Sequence, residues 1–232
     1  MAMARSIYLD HSATTPTDPR VVEVMLPYFT QQFGNPASVH QFGRQAESAI
    51  ETARERIAQV LNCLPSEVIF TSGASESNNL ALRGSLRTGD PRPLLTTRVE
   101  HHAVSRTAAE IGEVEWLAVD SWGRASVEDV ERTSSARLVS LMYANNEVGT
   151  IHDLAGFAQA AHEIGAYFHT DAVQAGGQLP LDVNALGVDM LSLSAHKFYG
   201  PKGVGLLYAR NGVELHAIQT GGSHERGLRA GT

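Results

Sequence analysis

Short apolar runs that end on a polar residue alternate with segments of helical period along nearly the whole chain, and no other sequence feature narrows the fold as far. Ala46, Ile50, Ala53, Ile57 and Val60 recur every three or four residues, the period of an amphipathic helix. Residues 68–71 then read as a short strand that ends at Ser72-Gly73. Asn79, Leu80, Leu82 and Leu86 place a helix opening near Ser75, with a strand at 94–97 and a helix at 103–111. Residues 116–119 and 138–143 read as further strands. Asp153 caps a helix whose inward face is Leu154, Phe157, Ala161 and Ile164. Strands at 167–170, 190–193 and 203–209 complete the series. Strands alternating with helices specify an α/β domain on a mostly parallel sheet. The last strand follows Lys197 after five residues, too few for a crossover helix, so it is expected to run antiparallel. No repeat or Pro/Gly-rich linker divides the chain, so one mixed-sheet domain accounts for nearly all of it.

The bulk properties exclude several partners. A net charge of −7 argues against nucleic acid. No apolar run approaches the ~20 residues that span a bilayer, so no membrane partner is expected. Met1-Ala2-Met3-Ala4-Arg5 lacks an apolar signal core. One cysteine, Cys63, excludes an internal disulfide and fits a reducing, cytoplasmic setting.

Two charges stand where strands should end. Lys197 closes Leu191-Ser192-Leu193-Ser194-Ala195-His196-Lys197, and Asp171 closes Tyr167-Phe168-His169-Thr170-Asp171. Ligands of α/β proteins bind at the carboxyl ends of strands. A lysine facing an aspartate there is what an aldehyde cofactor with a basic ring nitrogen requires: the amine forms the Schiff base and the carboxylate holds the pyridinium proton. The alternative is an ordinary ion pair.

Several neighbouring loops bear on that choice. Thr71-Ser72-Gly73-Ala74-Ser75 joins a strand to a helix, and the amides of Ala74 and Ser75 with the Ser75 hydroxyl form a ready phosphate site, or a plain capped turn. The segment is neither a P-loop nor a dinucleotide fingerprint. His101 follows a strand and is suited to stack on a flat ring and move protons, or simply to cap a helix. In Asn145-Asn146 either amide would suit a ligand, although such turns are common without one. Gln174 lies three residues past Asp171, and Ser194 and His196 flank Lys197, placed to contact a phosphate. Residues 224–232 add small and basic side chains suited to an anion. His152, His162 and His169, or His101 with His102, are the candidate metal ligands, but no HExxH or CxxC pattern supports a site, so no metal is expected.

Taken in order, Tyr8-Leu9-Asp10-His11-Ser12-Ala13-Thr14-Thr15-Pro16, Gly34-Asn35-Pro36-Ala37-Ser38, Ser194-Ala195-His196-Lys197-Phe198-Tyr199-Gly200-Pro201-Lys202-Gly203 and residues 224–232 resemble the cysteine desulfurases of the NifS/IscS type. These are pyridoxal 5'-phosphate enzymes of the class V aminotransferase group. The resemblance implies a three-layer αβα large domain on a mixed, mainly parallel sheet of about seven strands with one antiparallel strand. It implies that residues 16–232 bind the cofactor and that residues 1–15 pack with a smaller domain. The implied activity converts L-cysteine to L-alanine and leaves an enzyme persulfide, passed to a sulfur-acceptor or iron–sulfur scaffold protein. The resemblance makes Lys197 the Schiff-base lysine and Asp171 the partner of the ring nitrogen. Gln174 becomes the partner of the phenolic oxygen and His101 the stacking, catalytic residue. Ala74, Ser75, Ser194 and His196 become the phosphate cradle. Asn146 is implied to contact cofactor and substrate, Asn35 to contact substrate, and Thr232 to reach the phosphate of the neighbouring subunit in a homodimer.

The same resemblance implies a nucleophilic cysteine and a carboxylate-binding arginine in a region that the 232 residues do not include. Cys63 matches no catalytic position and reads as a small buried hydrophobe. The expectation is therefore a cofactor-binding part, incomplete as a catalyst. Another class V enzyme, such as an aminotransferase or a selenocysteine or cysteine lyase, and a non-catalytic scaffold remain open.

Overall fold

The computed structural model describes residues 6–85 and 90–232. Leu86 and the N-terminal Met1-Ala2-Met3-Ala4-Arg5 lie outside the described residues. The strands are β1 (Val68–Thr71), β2 (Leu94–Thr97), β3 (Val114–Leu117), β4 (Leu138–Ser140), β5 (Tyr167–Asp171), β6 (Met190–Ser194) and β7 (Gly205–Ala209). They form one seven-stranded sheet in the order β1-β7-β6-β5-β4-β2-β3. β7 runs antiparallel to both β6 and β1, while the other neighbours are parallel. Because β1 reverses β7 as β6 does, the ends of β1, β4, β5 and β6 and the start of β7 share one edge.

The helices are α1 (Pro19–Thr30), α2 (Gln41–Leu61), α3 (Ala74–Gly84), α4 (His102–Ile111), α5 (Val127–Glu131), α6 (Leu154–Glu163) and α7 (Val183–Leu186). They cover both faces of the sheet. Strand residues alternate between those faces, so Ile69, Leu94, Leu138, Met190 and Leu207 join Leu80, Leu82 and Val104 of α3 and α4. Val68, Leu95, Val139, Phe168, Leu191 and Tyr208 join Leu154 and Phe157 of α6, with Ala58 and Leu61 of α2. This is the expected three-layer αβα arrangement with one antiparallel strand.

Several sequence boundaries shift, each for a pairing reason. The strand expected at 116–119 lies at Val114–Leu117, because β2 has only four residues and Thr97 pairs with Leu117. The run at 138–143 is a strand only to Ser140, although the amides of Leu141 and Tyr143 still donate to the carbonyls of His169 and Asp171. The last strand starts at Gly205 rather than 203. Along α2, Ala46 is buried, but Val60 is 75% exposed. The helix buries Arg54 instead, a residue the apolar pattern passes over.

Helix α1 has no buried residue, although its apolar side chains segregate to one side; Val22, Val24, Leu26 and Phe29 are exposed. Asp18 caps it by accepting from Arg20 N, and Pro19 suits the first turn, where no amide partner is needed. At the far edge of the sheet the outer backbone groups of β1 are bonded to side chains. Glu225 accepts from the Phe70 amide at 2.9 Å and from both terminal nitrogens of Arg54 at 2.8 and 2.9 Å. Arg54 and Arg226 both donate to the Val68 carbonyl. Burial opposes the charge of Glu225, but its Arg54 bonds hold the carboxyl below its ordinary value.

Candidate active site

At the shared strand edge the ends of β5 and β6, the β1–α3 turn and residues 12–14 enclose a cleft of about 700 Å³. That is the size of a small-molecule site. Ala74, Ser75, His101, Asn146, Asp171, Gln174, Ser194, His196 and Lys197 all line it. Thr232 and Asn35 do not. They are exposed and meet each other instead, with Asn35 Nδ2 at 3.5 Å from Thr232 Oγ1.

Asp171 is the last residue of β5 and is buried. Its Oδ1 accepts from the Val173 amide at 3.0 Å and its Oδ2 from Asn78 Nδ2 at 2.7 Å. Burial pushes its pKa up, and these bonds with the charges of His101 and Lys197 offset that only in part. Both bonded donors are neutral, and among the described residues no cation lies within ion-pair distance. A buried carboxylate held this way is a strong host for a cationic ring nitrogen.

Lys197 ends a short 3₁₀ turn, Ala195–Lys197, that leaves β6 directly into the cleft. The ordinary ion pair with Asp171 is not formed, because Lys197 Nζ donates to the Ser12 carbonyl. Gln174 Nε2 donates to the same carbonyl at 3.0 Å. Burial lowers the Lys197 pKa, with Asp171 and Asp10 restoring part of it. The amine is thus nearer its neutral, nucleophilic form than a surface lysine.

The β1–α3 turn opens α3 into the cleft. Gly73 caps α3 at φ 154°, where other residues are strained. The amides of Ala74, Ser75 and Glu76 open the helix without intrahelical partners. Glu76 ties the turn down: Oε2 accepts from Ser72 N at 2.7 Å and Ser72 Oγ at 2.5 Å, while Oε1 accepts from Arg229 Nε at 2.8 Å. His196 Nδ1 pairs with Thr14 Oγ1 at 3.0 Å. Burial lowers the His196 pKa, and the Lys197 and Lys202 charges lower it further.

The turn also packs directly on β7. A Cβ on Gly205 would lie 2.5 Å from Gly73 Cα and 2.8 Å from the Leu193 carbonyl oxygen. Gly205→Ala is expected to lower the denaturant midpoint by the equivalent of about 1–3 kcal/mol, as overpacking does. The backbone that must yield is that of Gly73 in the β1–α3 turn and of Leu193 in β6.

Other sequence ambiguities resolve by contact. His101 caps α4, its Nδ1 accepting from the Ala103 amide at 3.1 Å, and it also lines the cleft. Of the two asparagines, Asn145 is structural: Oδ1 accepts from Glu147 and Val148 amides, and Nδ2 donates to Val99 O. Asn146 alone faces the cleft. The basic residues of 224–232 are engaged internally, Arg229 with Glu76 and Arg226 with the Val68 carbonyl, so they are not free anion ligands as the sequence had them.

The histidines weighed for a metal have other partners. His169 bonds Ser140 Oγ and Ser192 Oγ, and burial pushes it down to about 3, hence neutral. His152 bonds the Met142 carbonyl and the Ala125 amide, and His162 bonds Asp189. Among the described residues no group of three or more His, Cys, Asp or Glu side chains is placed to hold a metal. Sequence reading missed Asn78 and Glu100, which sit beside Asp171 or act on its charge. Asn78 lies four residues past Ala74, one helical turn along, and that spacing was the available signal.

The whole architecture has known counterparts. A "NifS-like protein" superposes with a TM-score of 0.94 at 42% identity, covering 98% of this chain and 65% of the other. A structure titled "SspA in complex with cysteine" superposes equally well at 40% identity, covering 98% of this chain and 68% of that one. Among curated relatives, "Cysteine desulfurase IscS" of Dictyoglomus turgidum is 47% identical over 99% of this chain. "Putative cysteine desulfurase IscS 1" of Bacillus subtilis is 45% identical over 97%. This chain spans about 60% of the length of those relatives. Residues 7–229 match the model of the class V aminotransferases, which are pyridoxal-phosphate proteins, and the chain belongs to that family.

Proposed function

We propose that the cleft binds pyridoxal 5'-phosphate and is the cofactor half of a cysteine desulfurase. The observation that carries this is a half-buried lysine and a buried aspartate on adjacent strand ends, the aspartate with no cation within ion-pair distance among the described residues, beside a row of helix-start amides that have no intrahelical partners. When bound, the cofactor supplies an aldehyde for amines and a protonated ring that draws electrons from the carbon beside the amine. Lys197 presents its amine to that aldehyde and is the base placed to move the substrate's α-proton. Asp171 keeps the ring proton in place, and Gln174 holds the phenolic oxygen. His101 accepts an amide bond at Nδ1, so its proton lies on Nε2 and that edge is the donor. Ala74, Ser75, Ser194 and His196 hold the phosphate, at a helix start worth about 0.3–2 kcal/mol to an anion. Asn146 is assigned to cofactor and substrate, and Asn35 to substrate.

Thr232 lies outside its own cleft, which fits its assignment to the phosphate of a neighbouring subunit in a homodimer. Residues 16–232 are taken as the cofactor domain and the first fifteen as a segment shared with a smaller domain. L-cysteine is the proposed substrate, with sulfur passing to an acceptor such as an iron–sulfur scaffold protein. The cytoplasm is the proposed location, a reading that rests on the lone thiol. Among the described residues no helix is long and apolar enough to cross a membrane.

Cys63 is not the sulfur-accepting thiol of this scheme. It packs half-buried against the core, and burial with the Glu67 charge pushes it up to about 11, so it carries almost no thiolate at neutral pH. Adding pyridoxal phosphate is expected to give a visible absorption band that L-cysteine perturbs. Absence of the band sinks the cofactor assignment.

A further inference from the structure

Glu100 is a buried carboxyl that the mechanism above leaves unused. Its Oε1 accepts from the Met142 amide at 2.8 Å and from Thr97 Oγ1 at 3.4 Å. Its Oε2 is sealed from solvent with no hydrogen-bond partner among the described residues. It stands three residues past the end of β2, one residue before His101. The segment it grips through Met142 runs on to Asn145, whose side chain returns to Val99 O. One carboxyl therefore braces the two loops that present His101 and Asn146.

An ionised carboxylate would leave a full charge on an oxygen with no donor near it, a costly state in a protein interior. A proton on Oε2 removes that charge and keeps Oε1 as the acceptor of the Met142 amide. The surrounding charges favour the same form. Asp171 from β5 is the charge that acts on Glu100, and it is repulsive. His101 and Lys197 act on Asp171, and His169 beneath it is neutral. Burial, with the Asp171 charge and against the Met142 bond, pushes the Glu100 carboxyl up to about 8.

We propose that Glu100 is a positioning residue that carries a proton at rest, bracing the His101 and Asn146 loops without adding a second negative charge beside Asp171 at the cofactor ring. The part concerning the ring rests on the pyridoxal-phosphate reading, whereas the proton on Glu100 does not. A protonated Glu100 is also a proton reserve. As pH rises through its titration it gains a negative charge, which strengthens the hold of neighbouring groups on their own protons.

The test uses Glu100→Gln, which keeps the shape and the acceptor for Met142 but cannot ionise. In the protein without added cofactor, infrared spectra near pH 6.5 should show the carbonyl stretch of a protonated carboxylic acid, lost on alkalinisation and absent from the variant. With pyridoxal phosphate bound, the visible-band pH titration of the variant should lie lower than that of the parent by at least about half a pH unit, the scale of one charge acting through protein. Glu100→Ala, which also removes the Met142 brace, should weaken cofactor binding several-fold where Glu100→Gln leaves it within about twofold. A carboxylic-acid band that survives in Glu100→Gln, or coincident titration curves, overturns the proposal. If pyridoxal phosphate does not bind at all, the cofactor reading fails, and the infrared band alone then decides the protonation of Glu100.

Discussion

Replacing Lys197 with alanine should abolish covalent capture of pyridoxal phosphate. Borohydride reduction followed by peptide mass spectrometry is expected to place the label on Lys197 in the parent protein and nowhere in Lys197→Ala. The physical reason is the combination of exposure and environment at this position. The amine enters the cleft from the turn after β6, and burial lowers its pKa despite Asp171 and Asp10. Lys202 also lines the cleft, but it is exposed at the rim. Non-covalent binding should survive at reduced affinity, because the α3 amides, His196 and Asp171 are untouched. In a form of the protein that turns over amino acids, loss of the base should cost at least about 10²–10⁴-fold in rate. Labelling of Lys202 with Lys197 intact would refute the assignment.

Asp171→Asn should push stability and function in opposite directions. Without cofactor, Asp171 is a desolvated carboxyl with two neutral donors and a raised pKa. A raised folded pKa means the stabilising contribution is complete below the unfolded value, about 3.9, and is lost as pH rises through the folded one. At neutral pH the charge is thus a burden that the amide relieves. Asparagine keeps the acceptor for Val173, and its new Nδ2 has a waiting partner, since Asn78 Oδ1 is buried and unbonded and its amide can turn over. The expected result is a melting temperature a few degrees higher near pH 7–8, with a flatter dependence on pH. Cofactor chemistry should move the other way, because a neutral amide does not hold the ring proton, and substrate-induced spectral change should fall by orders of magnitude. A variant that loses stability in the absence of cofactor would show that the carboxylate is better compensated than its contacts indicate. Function-bearing strain of this kind is common where a site is built for a partner of opposite charge.

The fold was legible because burial writes a regular signature. Strands β2, β5 and β6 are buried along nearly their whole length, so their apolar runs stand out and their limits fall within a residue or so of expectation. The edge strand β3 has only Leu117 fully buried, and there the pattern misplaced the limits by two residues. Helix α1 was passed over although its apolar residues do segregate to one side, and that side is not packed on the sheet, so none of its residues is buried. The site divides the same way. Lys197, Asp171 and the Gly73 turn were visible because strand ends and helix starts are marked locally. Asn145 and Asn146 were indistinguishable, since identical side chains are told apart only by which one the turn consumes. Asn78 and Glu100 gave almost nothing away, because their importance comes from lying near Asp171, which is 93 positions beyond Asn78 in the chain.

The Glu225 clamp on β1 matters for more than the geometry of its turn. An outermost strand normally offers its free backbone groups to any passing chain, which is how sheets recruit unwanted strands and aggregate. Here the outward amide of Phe70 is taken by a carboxylate, and the outward carbonyl of Val68 is taken by two guanidinium groups. A strand arriving at that edge would meet charged groups instead of an open hydrogen-bonding ladder, so the clamp also acts as a gatekeeper against self-association.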